Sequence, residues 1–157
     1  MSALPVEAQP VTRFLQPGHL VIAAQPTQIT TILGSCVAVC MWDVTKRIGG
    51  MNHFMLPLAS SRATASPRFG NFAMSQLLDG LRAIGARLPF LQARVFGGSC
   101  MFKEMQSSAH LGQKNVDLAL DFLSRNGIEV IEVNTGGNRG RKLIYRTDEG
   151  VACLKSI

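Results

Sequence analysis

The chain has 157 residues, of which 46% are hydrophobic, and a formal net charge of +6, so we expect a single domain with a sizeable core. No apolar run approaches the roughly 18 residues of a membrane span, and the first dozen residues lack the layout of a signal peptide. We therefore expect a cytoplasmic protein with no membrane insertion. The four cysteines form no C-x-x-C pair, which argues against a zinc site.

The chain begins with a polar, proline-containing stretch, and we expect residues 1–16 to be a flexible leader and residues 17–157 to form the domain. Short apolar runs bounded by turn residues predict strands at 19–23, 29–33, 37–42, 48–56, 91–96, 128–133, 142–146 and 151–154. Residues 58–68 and 99–112 have no periodic pattern and are predicted to be irregular.

Two segments with apolar residues at helical spacing predict amphipathic helices. The first is expected over residues 71–84, with Asn71 as its N-cap and Gly85 as its C-cap, and the second runs from the cap Asn115 to the Asn126-Gly127 stop. Hairpin turns and helix crossovers both occur between the strands. The pattern predicts an α/β layered sandwich with a mixed, largely antiparallel sheet and two main helices.

Cys36 is a candidate nucleophile because it follows a Gly34-Ser35 turn at the head of an apolar run. Such a turn leaves backbone N–H groups near the sulfur, where they could stabilise an oxyanion during acyl chemistry. The alternative is a buried structural cysteine, the commoner fate of a single cysteine.

A thiol nucleophile needs a base, and His53 lies within the next apolar run after a glycine pair. If the two runs are adjacent strands, Cys36 and His53 could meet across them. His19 and His110 compete for this role, and a buried core histidine without chemistry is the alternative.

A third group should orient the imidazole. Asp43 is the nearest carboxylate but belongs to a turn, and Thr30 and Thr31 offer hydroxyl groups. Threonine is common in strands, so the residues alone leave this choice open.

Basic residues crowd one late segment, at Arg139, Arg141, Lys142 and Arg146. Such a cluster favours an acidic partner, which could be nucleic acid, a membrane surface or an acidic protein. With one Trp and one Tyr, the chain lacks an obvious aromatic set for stacking on bases, so nucleic acid is the weaker reading.

Several ordered motifs resemble the chemoreceptor glutamine deamidases of the CheD type, from about His19 to the C-terminus. They are Leu33-Gly34-Ser35-Cys36-Val37-Ala38-Val39, Gly50-Met51-Asn52-His53, Met55-Leu56-Pro57, Val95-Phe96-Gly97-Gly98 with Met101, Gly112 with Asn115, Thr135-Gly136-Gly137 and Gly140-Arg141-Lys142. A series of motifs in order is far more specific than any one of them.

The resemblance implies a Cys-His-Thr triad in which Cys36 is the nucleophile and His53 the base. The family threonine lies six positions before the cysteine, which falls on Thr30. The implied reaction converts receptor glutamines to glutamate without a metal or cofactor, and some members are also thought to hydrolyse glutamyl methyl esters. A regulatory binding module that retains the fold is the rival hypothesis.

The resemblance also implies partners. These are the cytoplasmic helical domains of chemoreceptors and a CheC-type phosphatase that can restrain the deamidase. Met101, Phe102 and the rest of the segment from Ser99 to Gly112 are candidates for the phosphatase contact.

Overall fold

The computed structural model describes residues 9–59, 65–101 and 110–157 of the chain, which form nine strands and two α-helices. The strands are β1 (Val11–Phe14), β2 (Leu20–Ala23), β3 (Thr27–Leu33), β4 (Val37–Asp43), β5 (Ile48–Asn52), β6 (Leu91–Gly97), β7 (Glu129–Thr135), β8 (Arg141–Arg146) and β9 (Val151–Ser156). The helices are α1 (Gly70–Ala83) and α2 (Leu111–Arg125), and a short 3-10 turn occupies Leu88–Phe90.

The strands divide into two sheets, with orders β1-β3-β8-β9 and β2-β5-β4-β6-β7. Among the described strands, β1 pairs with β3 and β6 pairs with β7 in parallel, and the other pairs are antiparallel. The predicted α/β sandwich with largely antiparallel pairing is confirmed, with the strands in two packed sheets.

The helices and sheets form three layers with two apolar cores. Both helices pack on the five-stranded sheet, where Val37, Phe54 and Leu77 belong to the helix-side core. The four-stranded sheet covers the other face of the five-stranded sheet, and Ile29 and Met51 are buried between the two sheets. The strands β4, β5 and β6 of the five-stranded sheet therefore each have one face towards the helices and one face towards the second sheet.

Of the predicted flexible leader, residues 1–16, the structure describes residues 9–16, and these include a strand. Residues Val11–Phe14 form β1, which adds to the edge of the four-stranded sheet beside β3. Leu15 is then buried, with its N–H bonded to the carbonyl of Thr30 at 2.8 Å. The sequence of β1 gives a weak signal because all four of its residues are exposed.

The helix starts also differ from their predictions. Helix α1 begins after Phe69, and Asn71 lies inside its first turn, where its Oδ1 accepts the N–H of Ala59. Helix α2 begins after His110, whose Nδ1 accepts the N–H of Gln113, so Asn115 lies within the helix. Histidine is not among the strongly preferred N-cap residues, so the sequence carries no clear signal for a helix start at this position.

The strand predicted over 48–56 ends at Asn52, beyond which only isolated bridges at Phe54 and Leu56 continue the pairing. In the described part of the chain, no helix is both long enough and apolar enough to cross a membrane. Phe102, which was named as a candidate for partner contact, lies outside the described residues.

Candidate active site

Cys36 ends the tight turn between β3 and β4, at the boundary between the two sheets. Its carbonyl accepts the N–H of Gly98 at 2.9 Å, and the carbonyl of Gly34 accepts the N–H of Ser99 at 3.0 Å. The two residues that directly follow β6 therefore bond to both sides of the turn. Cys36 is half-buried, while Cys40 is buried and Cys153 is exposed. Of these three thiols, Cys36 alone combines partial access with a constrained turn.

The strand register brings Cys36 and His53 to one face of the five-stranded sheet. Val37 and Phe54 exchange both backbone hydrogen bonds, at 3.1 and 3.0 Å, as an antiparallel pair. Both of those side chains lie in the helix-side core, so the neighbouring Cys36 and His53 side chains leave on the opposite face. They occupy diagonal positions, which lie roughly 7–8 Å apart, and no hydrogen bond joins the Cys36 sulfur to His53 Nε2 in the described structure.

The hydroxyl oxygen of Thr31 lies 2.7 Å from Nδ1 of His53. This contact corrects the prediction that Thr30 would orient the imidazole. Thr31 is fully buried on the face of β3 that also carries Ile29 and Leu33, whereas Thr30 is on the other face beside Phe14. Residues alternate between the faces of a strand, so only one of two adjacent threonines can face His53.

The same threonine determines which nitrogen of His53 carries the proton. The Thr31 hydroxyl donates its one hydrogen to the carbonyl oxygen of Leu15 at 2.8 Å, so its oxygen must accept from His53 Nδ1. The ring is then protonated on Nδ1 and has a lone pair on Nε2. Nε2 is buried and has no hydrogen-bond partner in the described structure.

Burial keeps both candidate reactive groups neutral. Desolvation lowers the pKa of His53 from 6.5 to about 4 because the imidazolium would be cut off from water. Desolvation also raises the pKa of Cys36, an effect that its own backbone N–H partly offsets. At neutral pH the structure therefore holds a thiol and a neutral imidazole, and a nucleophilic role for Cys36 would require a base to take the thiol proton during attack.

Asn115 joins the turn of Cys36 to the segment that follows His53. Its Nδ2 donates to the carbonyl oxygens of Ser35 and Met55, both at 3.1 Å. Two carbonyl partners require the amide nitrogen on that side, which leaves the buried Oδ1 without a partner in the described residues. From the sequence, Asn115 was predicted to cap α2. Its place among the ordered motifs was the available signal for a site residue.

The other candidates for the base and its partner lie elsewhere. His19 is exposed, and its contact with the site is through its carbonyl, which accepts the N–H of His53. His110 caps α2. The Asp43 carboxylate accepts hydrogen bonds from the backbone N–H groups of Thr45 and Arg87. Asp43 is the last residue of β4 and therefore lies at the opposite end of that strand from Cys36 and His53.

The predicted basic cluster does not form one free surface. Arg146 pairs with Asp148 and Glu149, and Arg141 donates to the carbonyl of Gly136 at 2.8 Å. Within the ranges that the structure describes, no group of three or more His, Cys, Asp or Glu side chains is arranged to hold a metal ion.

A half-buried thiol, a neutral imidazole with an available Nε2 and a hydroxyl that orients the ring are the parts of a thiol-dependent hydrolase site. Residues 55–156 match the family model CheD, described as CheD chemotactic sensory transduction. The chain belongs to this family.

Curated relatives match over most of the chain. A probable chemoreceptor glutamine deamidase CheD 1 of Anaeromyxobacter dehalogenans is 45% identical over 92% of this chain and 84% of its own length. The corresponding Trichlorobacter lovleyi protein is 45% identical over 90% and 88%, and that of Sulfurimonas denitrificans is 36% identical over 92% and 94%.

Among solved structures, a Neisseria meningitidis protein described as family-model DUF152 matches 76% of this chain and 52% of its own, with 10% identity and a TM-score of 0.42. A match this distant adds nothing to the account of the site.

Proposed function

We propose that this protein is a protein-glutamine deamidase that converts glutamines of chemoreceptor cytoplasmic domains to glutamate. The observation that carries the proposal is the hydrogen bond that His53 Nδ1 donates to the Thr31 hydroxyl. This bond leaves the lone pair of Nε2 as a base on the face shared with Cys36. The names of the relatives, probable chemoreceptor glutamine deamidases, supply the substrate.

The mechanism uses Cys36 as nucleophile and His53 as base and then acid. His53 Nε2 takes the thiol proton as sulfur attacks the carboxamide carbon of glutamine, forming a tetrahedral intermediate. The imidazolium returns that proton to the departing nitrogen, which leaves as ammonia and gives a thioester. His53 then removes a proton from water, whose oxygen attacks the thioester, and the products are glutamate and the Cys36 thiol.

Thr31 and the turn before Cys36 assist this chemistry without bonding changes of their own. Thr31 holds the imidazole and stabilises the imidazolium by accepting from Nδ1–H. The backbone N–H groups of Gly34, Ser35 and Cys36 are the proposed donors to the oxyanion.

The same thioester would form from a glutamyl methyl ester with methanol as the leaving group, so we propose ester hydrolysis as a second reaction of the site. The net charge of +6 favours binding to the acidic methylation regions of receptors. Family membership supports a CheC-type phosphatase as a further partner, and Met101, which is 59% exposed beside the site, is our candidate contact.

The decisive experiment measures ammonia release and the matching amide-to-acid mass change in a purified receptor cytoplasmic fragment. We expect turnover by the wild-type protein and by Cys153→Ala, a control at an exposed thiol, and none by Cys36→Ala. Turnover by Cys36→Ala would place the nucleophile elsewhere. No turnover by the wild type on several receptor fragments would favour the regulatory binding module.

A further inference from the structure

The turn between β7 and β8 joins the motifs Thr135-Gly136-Gly137 and Gly140-Arg141-Lys142, and it lines a cleft of about 380 Å³ together with the end of β9. The cations in the wall of this cleft are Arg139, Arg141 and Lys155, and none of the described residues that line it is acidic. The cleft is therefore a concave surface with charge of one sign, which attracts anionic groups.

The segment from Gly97 to Cys100 lies between this cleft and the turn that precedes Cys36, and its backbone is bonded to both. Two N–H···O bonds join the segment to the Cys36 turn, at 2.9 and 3.0 Å, and two join it to the β7–β8 turn, both at 2.9 Å. The bonded pairs are Gly98 with Cys36, Ser99 with Gly34, Gly97 with Gly136 and Cys100 with Gly137. Backbone segments bonded in this way lie about 4.8 Å apart, so the two turns are roughly 10 Å from each other.

Three cations at this end of the fold, Arg139, Lys142 and Lys155, have no carboxylate partner in the part of the chain that the structure describes. We call these three residues the basic patch. The ion pairs of the described structure are formed by other cations, which are Arg47, Arg94, Arg125 and Arg146. The positive charge of the basic patch is thus available to a partner.

Two members of the basic patch repel each other. Lys142 and Lys155 are directly opposite in the register of β8 and β9, and like charges at such positions destabilise a sheet. A lysine on an edge strand such as β9 also discourages pairing between copies of a protein, but Lys142 belongs to the inner strand β8. Binding of an acidic partner accounts for both charges, because it would relieve the repulsion.

The outer face of the four-stranded sheet adds an apolar side chain to the lysine pair. Ile32, Lys142 and Lys155 each adjoin a leucine that faces the other sheet, so their own side chains face outwards. Ile32 is 49% exposed and lies directly opposite Lys142. The three side chains form a row with a spacing of about 4.8 Å, close to the roughly 5–6 Å between neighbours on one face of a helix. This row fits a helix with acidic and apolar side chains better than a phosphate backbone, which has no apolar groups to cover Ile32.

We propose that the basic patch binds an acidic face of the receptor helices while Cys36 acts on a glutamine of the same helical bundle. A helix is about 10–12 Å across, and its neighbours in a bundle lie about 8–10 Å away. These dimensions match the separation of the β7–β8 turn from the Cys36 turn, so one bundle would contact both. The inference rests on the proposed deamidase function and names the surface that recognises its substrate.

Kinetics with the receptor cytoplasmic fragment test this surface through the variant Lys142→Gln/Lys155→Gln. We expect it to raise KM about tenfold at low salt with kcat unchanged, because these charges attract the partner without touching the reacting atoms. Added salt should weaken the wild type more than the variant. Since the two lysines repel each other, the variant should keep or raise the urea midpoint of unfolding.

Lys46→Gln/Lys114→Gln is the matched control. It removes the same net charge at two exposed lysines, one in the turn between β4 and β5 and one on α2, so we expect wild-type KM. An equal rise in KM for the control would show that net charge alone matters and would overturn the inference. Wild-type KM in Lys142→Gln/Lys155→Gln would also overturn it and leave the deamidase function intact.

A binding measurement in the Cys36→Ala background tests the surface without turnover. We expect the lysine pair variant to bind the receptor fragment about tenfold more weakly. It should cause no further loss when the acidic residues beside the target glutamine are replaced by alanine. Unchanged affinity, or tighter binding of random-sequence duplex DNA or phosphatidylserine vesicles than of the receptor fragment, would overturn the inference. Binding that depends on the lysines, without turnover by the wild type, would instead overturn the proposed function.

Discussion

Thr31 and His53 connect the two sheets through a hydrogen bond of 2.7 Å between Oγ1 and Nδ1. Thr31 lies on β3 of the four-stranded sheet, and His53 directly follows β5 of the five-stranded sheet. The carbonyl of Leu15 accepts the Thr31 hydrogen, so the segment after β1 also takes part. The orientation of the imidazole therefore depends on the packing of the two sheets.

The first prediction concerns the two adjacent threonines. Thr31→Val keeps the shape of the side chain but removes the acceptor of Nδ1–H, so we expect kcat/KM for deamidation to fall about 100-fold. Thr31→Ser keeps the hydroxyl group and should retain most of the wild-type kcat/KM. Thr30→Val, on the opposite face of β3, should retain wild-type turnover. Equal losses in Thr30→Val and Thr31→Val would contradict the role of the Thr31 hydroxyl.

The second prediction follows from the depressed pKa of His53. Folding lowers this pKa from 6.5 to about 4. Between those values the unfolded chain binds a proton that the folded chain does not, so stability is lost as the pH falls through this window. At 1.36 kcal/mol per pKa unit, complete passage costs about 3 kcal/mol of unfolding free energy.

Urea unfolding at pH 7 and pH 4 measures this loss, with His53→Gln as the reference. The glutamine variant cannot take up the proton, so its stability should decrease less between the two pH values. Because the imidazole stays neutral below pH 6, kcat/KM for deamidation should begin to decrease only at pH values below the ordinary histidine pKa. An NMR titration of His53 with a midpoint near 6.5 would refute both expectations.

The third prediction concerns Asn115, whose amide bridges Ser35 and Met55. Asn115→Ala leaves two partly buried carbonyls without their donor, and we expect it to lower the free energy of unfolding by about 2–4 kcal/mol. It should also lower kcat, because the turn of Cys36 loses its tie to the segment after His53. Asn126→Ala, at the other end of α2, serves as the comparison, and an equal effect on kcat there would argue against this role.

The fourth prediction compares two glycines with similar positive φ angles, Gly98 at 66° and Gly137 at 75°. An alanine at either position suffers backbone strain of about 1–2 kcal/mol. A Cβ on Gly98 would also press on Val116 and Gly112, while a Cβ on Gly137 meets nothing within 4 Å. We expect Gly98→Ala to lose about 1–3 kcal/mol more than Gly137→Ala in chemical denaturation. Equal losses would show that backbone strain alone matters at both positions.

Local sequence was sufficient for the order of the helices and of strands β2 to β9, and for Cys36 and His53 as candidates. Apolar periodicity, turn glycines and the Gly34-Ser35 dipeptide act over a few residues, so their effects can be read without the fold. Local sequence was insufficient at β1, where four exposed residues carry no apolar pattern. It was also insufficient at the start of α2, because the cap there is a histidine.

The choice between Thr30 and Thr31 depends on which face of β3 is buried. The alternation of Ile29, Thr31 and Leu33 on one face of β3 was a signal for Thr31, since apolar neighbours indicate the buried face. The resemblance, which places the family threonine six positions before the cysteine, implied Thr30 instead. Such a count cannot say which face of a strand packs against another sheet.

The sequence by itself determined the α/β class, most of the helix and strand segments and the candidate pair Cys36 and His53, because these follow from short-range patterns of apolar, turn and polar residues. Only the tertiary structure decided that Thr31 would hold His53, that the Leu15 carbonyl would accept from Thr31, and that Asn115 would tie the Cys36 turn in place. Each of these contacts joins elements distant in the chain, and their partners become neighbours only when the sheets and α2 pack together.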